Sequence, residues 1–126
     1  MSKALQEKVM SALDQAVAEL EEKRAQESAV RRARHHAACA FLKGFYESDV
    51  APSQKLKAHG VRTVFDGARI LLEKQEVGVY ADGMMIVVGE QGEIDVNGKS
   101  LGPVRPDSPD IKKNELIAEI ISHFNL

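Results

Sequence analysis

The sequence predicts an α+β domain: a long amino-terminal helix, an antiparallel β-meander of four to six short strands, and a carboxy-terminal amphipathic helix packed on the sheet. Three observations predict it. The first glycine is Gly44 and the first proline Pro52, so residues 2–43 hold neither strong breaker and are rich in Ala, Leu, Glu, Gln, Lys and Arg. Asp66-Gly67, Asp82-Gly83 and Asn97-Gly98 then recur at even spacing, and each dipeptide tolerates the positive φ of a tight hairpin. Behind Ser108-Pro109, which reads as a cap and first helical residue, Ile111, Leu116, Ile117, Ile120, Ile121 and Phe124 form an apolar face.

At 126 residues the chain fits one core without disulfides or metals. Residues 1–50 read as a helical oligomerisation element and residues 51–126 as the small α+β body. In the first part Leu5, Val9, Leu13, Val17 and Leu20, with Ala12 and Ala16 beside them, recur at spacings of three and four. Val9, Leu13, Ala16 and Leu20 also fit about two heptads of a coiled-coil seam. Residues 21–28 interrupt that stripe with a polar waist, which either stays helical through the Glu19–Lys23 and Glu27–Arg31 pairs or bends into a helical hairpin. Beyond it Ala29, Ala33, Ala37, Phe41 and Phe45 restore an apolar face.

Pro52 and Ser53 open a short helix that Gly60 closes. Strands are expected at 61–65, 68–73, 76–81, 84–88, 93–96 and 99–101, a pattern that a duplicated hairpin unit would also give. Val61, Val64, Phe65, Ala68 and Leu72 fit a helical stripe as well, so 61–73 is either two strands or a helix. Five consecutive apolar residues at 84–88 predict a central strand covered on both faces, and Ile94 and Val96 between Glu93 and Asp95 predict one wet face.

Composition excludes several classes of function. Aromatics make up 5% and Trp is absent, which removes the platforms on which bases and sugars stack. The lone Cys39 has no partner for an intramolecular disulfide, favouring a reducing compartment, and the acid-containing first residues do not read as a signal peptide. No run approaches the roughly 20 apolar residues needed to span a bilayer, so a soluble, cytoplasmic protein is expected, without membrane contact.

The site candidates are therefore surfaces. A helix of some 45 residues would reach about 65 Å, more than a body this small can cover. Leu5, Val9, Leu13, Ala16, Val17 and Leu20 are accordingly expected to form an oligomer interface, and a homo-oligomer is the expected state. Residues 31–60 carry six bases against two acids, and Arg31, Arg32 and Arg34 are candidate phosphate contacts. His35, His36 and Cys39 share a helix at spacings that suit zinc, although a tetrahedral site needs further ligands. Asp66, Glu73, Glu76, Asp82, Glu90, Glu93 and Asp95 cluster around the turns without any pair being marked out for acid and base work. No nucleophile elbow, phosphate loop or metalloprotease spacing occurs, and no cofactor is implied. The reading is a non-enzymatic protein-protein interaction or oligomeric scaffold or adaptor protein. Nucleic-acid binding through 31–36 is the first alternative, and a small enzyme or metal-binding protein the second.

Overall fold

The computed structural model describes residues 11–75 and 81–126, and within them an α+β fold. Helix α1 (Ala12–Phe45) runs without a break for 34 residues. Ser11 stands extended before it and its Oγ accepts from the Asp14 amide at 3.1 Å, satisfying one of the orphan donors of the first turn. The polar waist does not bend. It contains no Gly or Pro, and its i, i+4 charge pairs and straight-chain residues keep helix favourable in water.

Past Phe45 the helix widens into one π turn (Tyr46–Val50), in which the Ala51 amide donates to the Tyr46 carbonyl at 2.8 Å, five residues back. Tyr46 lies over Phe65 with ring centroids 5.5 Å apart, and its hydroxyl donates to the Thr63 carbonyl at 3.4 Å, so this turn is locked to the first strand. Ser53 caps the short helix α2 (Gln54–Ala58) through the Leu56 amide, and Gly60, at φ 72°, ends it as expected.

Five strands follow: β1 (Val61–Phe65), β2 (Arg69–Gln75), β3 (Ala81–Val88), β4 (Glu93–Val96) and β5 (Lys99–Pro103). They form one antiparallel meander in the order β1-β2-β3-β4-β5. Residues 61–73 are thus two strands joined at Asp66-Gly67, and the helical alternative falls. Asn97 and Gly98, at φ 50° and 83°, make the mirror-image turn between β4 and β5, where the Asn97 side chain also accepts from the Met85 amide at 2.8 Å.

Asp82-Gly83 is a correction: it lies inside β3, with Asp82 opposite Lys74 and Gly83 opposite Glu73. A glycine licenses a turn only where positive φ is needed, and Gly83 is not among the positive-φ residues; the Asp82 carboxylate is used instead to bind His123 Nε2 at 2.9 Å. The expected strand over 76–81 falls, but for Ala81, outside the described residues.

Register sorts the side chains. Phe65, Ile70, Ile86 and Val96 stand in one row across four strands, and the inward face they share is completed by Leu72, Met84, Val88 and Ile94. Against it pack Ala38, Leu42 and Phe45 of α1, Leu56 of α2, and Leu116, Ile120 and Phe124 of α3 (Pro109–Phe124). Both long helices therefore cover the same side. The expectation of a central strand covered on both faces is corrected accordingly: Met84, Ile86 and Val88 are buried, whereas Met85 is 40% exposed on the bare side. In α3, Ile111 and Ile121 likewise turn outward, and Pro109 opens the helix without a side-chain cap from Ser108.

Two contacts fix the helices to the sheet at close range. Lys112, nearly fully buried, donates to the Leu101 carbonyl of β5 and to Glu115 at 3.0 Å, so its desolvated charge is paired and hydrogen-bonded. Gly92, in the β3–β4 turn, sits at φ 82°, and a Cβ there would stand 2.7 Å from the Arg34 carbonyl of α1. Gly92→Ala should therefore combine a strained backbone with a clash against another backbone, and lower unfolding free energy by about 2 kcal/mol or more in chemical denaturation.

Candidate functional site

Every residue from 11 to 34 is exposed, and only Ala38, Leu42 and Phe45 of α1 are buried. The helix thus overhangs the body by about 35 Å at 1.5 Å per residue. At 100° per residue, Leu13, Val17 and Leu20 fall within about 40° of the direction of Leu42, the residue that points into the core. An apolar stripe in phase with the docking face therefore continues into water, with Leu13 73%, Val17 45% and Leu20 45% exposed. Ala16 lies beside them, also exposed; Leu5 and Val9 lie outside the described residues.

Arg31, Arg32 and Arg34 are all exposed on the last turns of the overhang. They do not form a row. Arg32 and Arg34 point some 160° apart around the axis, so one phosphate backbone could meet Arg31 and Arg34 together but not all three.

His35 and Cys39 come together, whereas His36 points about 100° away and is exposed. His35 Nδ1 is 2.8 Å from the Gly89 carbonyl, which can only accept, so Nδ1 carries the proton. In the neutral ring Nε2 is then an acceptor, and the Cys39 thiol donates to it at 3.4 Å. This places a sulfur nucleophile, an imidazole and an orienting carbonyl in line, the arrangement from which thiol chemistry starts. Burial, however, pushes the Cys39 thiol up from its ordinary range, so at neutral pH the sulfur stays protonated. A metal would find two ligands here: among the described residues no group of three or more His, Cys, Asp or Glu side chains converges. His59 is held by the Lys55 carbonyl and His123 by Asp82.

The carboxylates do structural work. Asp66 accepts from the Ala68 and Arg69 amides and from the Arg69 side chain at 2.8 Å, closing the β1–β2 hairpin. The Arg69 hydrogen bond, chiefly, holds its carboxyl below the usual range. Asp49 faces Lys113 at 3.1 Å, off the hydrogen-bonding direction, so charge rather than an aligned bond joins α3 to the π turn.

Two surfaces take their outline only from the fold. Val64, Leu71 and Met85 stand opposite one another across β1, β2 and β3 on the open face of the sheet, 57%, 40% and 40% exposed. The signal was present in 61–65, where Val61, Thr63 and Phe65 alternate with Arg62 and Val64. A cavity of about 800 Å³, mostly apolar, opens beside α1 between Arg34, Ala37 and Phe41 on one side and Gly92, Val104 and Pro109 on the other. It depends on tertiary approach of distant segments and has no local signature.

No family model, no curated protein and no solved structure matches the chain. Among the described residues no helix is long and apolar enough to cross a membrane.

Two outcomes follow from the titrating groups. Cys39 should react with iodoacetamide more slowly at neutral pH than a free thiol, the rate climbing only as pH rises past the ordinary thiol range. Because the folded-state pKa of Asp66 is depressed, its hairpin contribution is present above the unfolded carboxylate pKa and fades as pH falls through the folded one; Arg69→Ala should move the Asp66 titration, followed by NMR, back up.

Proposed function

We propose that the chain is a non-enzymatic assembly protein: copies associate through the overhanging part of α1 and hold their α+β bodies apart, each displaying an open sheet face. The observation that carries this reading is the exposure of Leu13, Val17 and Leu20 on a continuous helix whose docking face they extend. Leaving such a stripe in water is unfavourable by about 25 cal/mol for each Å² of apolar surface, and association removes it.

The bodies supply the adaptor half of the function. Val64, Leu71 and Met85 form an apolar row, with Arg62 and Glu73 opposite each other on the same face, which fits a protein surface better than a nucleic acid. The mixed placement of Arg31, Arg32 and Arg34 around the helix supports the same preference. Non-specific phosphate binding gains from a row of cations on one side.

Sedimentation equilibrium tests the reading. The protein should run above monomer mass at micromolar concentration, and Leu20→Asp, an exposed position in the monomer, should return it to monomer mass while far-UV circular dichroism of the body is retained. Unchanged monomer mass for the natural sequence would defeat the proposal.

A further inference from the structure

Continuing the heptad from Leu13, Ala16 and Leu20 along the unbroken helix places Lys23, Glu27, Val30, Arg34, Ala37 and Phe41 at successive seam positions. A parallel pair would set Lys23 against Lys23, Glu27 against Glu27 and Arg34 against Arg34. Like charges would then meet at three layers. An antiparallel pair in which Lys23 faces the partner's Glu27 also sets Leu20 against the partner's Val30, Ala16 against Arg34 and Leu13 against Ala37. In each of these layers an a position meets a d position, the layering of antiparallel coiled coils.

Residues 16–22 then lie along residues 28–34 of the second copy. The polar waist becomes the centre of the pair, with two reciprocal Lys23–Glu27 contacts about the twofold axis.

The seam also continues into the body. Arg34, Ala37 and Phe41 line the cavity of about 800 Å³ whose far wall includes Gly92, Val104 and Pro109. In the antiparallel alignment this is where the partner's Leu13 arrives, beside Ala37.

We infer that α1 pairs antiparallel with α1 of a second copy, centred between Lys23 and Glu27, with the partner's Leu13 seated over the apolar cavity beside Ala37 and Phe41. This rests on the self-association proposed above and adds its direction, register and end contact. Two bodies then sit at opposite ends of one rod, formed by overhangs that overlap for about 35 Å.

Oxidative cross-linking in a Cys39→Ala background tests the register. Chains carrying Leu20→Cys and chains carrying Val30→Cys should cross-link when mixed, and neither should cross-link alone, because the two copies of residue 20 lie about 15 Å apart along an antiparallel axis, beyond the reach of roughly 7 Å between Cα atoms that a disulfide allows. Ala37→Arg should weaken dimerisation at least tenfold while leaving the thermal midpoint of the body unchanged. Dimers in which Leu20→Cys cross-links to itself would overturn the antiparallel register and leave self-association standing. Dimerisation untouched by Ala37→Arg would overturn the seating over the cavity. A monomer that fails to cross-link in any combination removes both readings, and if it also shifts a labelled oligonucleotide with steep salt dependence, nucleic acid is the occupant of this helix instead.

Discussion

The burial of Ala38, Leu42 and Phe45 against one face of a five-stranded sheet is the contact on which the rest of the molecule depends. It clamps the last turns of a 34-residue helix and leaves residues 11–34 exposed. The clamp is reinforced from three directions. Gly92 brings the β3–β4 turn against the Arg34 backbone, His35 bonds the Gly89 carbonyl, and the π turn carries Tyr46 onto Phe65 and Thr63. A helix held at one end by backbone approach, a side-chain hydrogen bond and aromatic packing has a fixed exit direction, and its overhang is a projecting rod rather than a loose tail.

The same core is one-sided, and that decides what the body can offer. Five strands with helices on one face leave the opposite face to water, and the register puts Val64, Leu71 and Met85 there in a row. Edge pairing is discouraged. The outer strand β5 ends at Pro103, which has no amide to donate, and Gly102 takes a positive φ that ends regular pleating. Growth by strand addition is thus disfavoured at that edge, while a partly apolar face stays exposed across β1, β2 and β3.

The fold class was legible because each element announces itself locally. Absence of Gly and Pro through residues 2–43 gives the helix, Asp66-Gly67 and Asn97-Gly98 give two of the turns, and Ser108-Pro109 gives the start of α3. What misled was chemistry that is ambiguous without register. Asp82-Gly83 has the composition of a turn yet lies in β3, where the carboxylate reaches His123. The run at 84–88 is apolar throughout, but only alternate residues enter the core, since Met85 and Val87 share the open face. Among the site candidates, i, i+4 spacing did bring His35 and Cys39 together, while His36 was separated by the same helical geometry. The Gly89 carbonyl that orients the imidazole, and the cavity beyond Ala37, arise from segments more than fifty residues away and left no mark in the local sequence.

The polar waist acquires a purpose in the proposed pairing that propensity alone does not give it. A seam of Leu and Ala throughout would associate in several registers and in either direction, because apolar contact is non-directional. Lys23 and Glu27 at the centre sacrifice some of that burial, and the desolvation of two ion pairs offsets part of their attraction. What they gain is selection: in the alignment that sets Lys23 on Glu27 both charges of the waist meet their opposites, whereas sliding by one heptad sets Glu27 against the partner's Ala16 and breaks both pairs. Direction and register are then set by charge, and affinity by Leu13, Leu20 and Val30. A rod built this way holds its two bodies at a fixed separation.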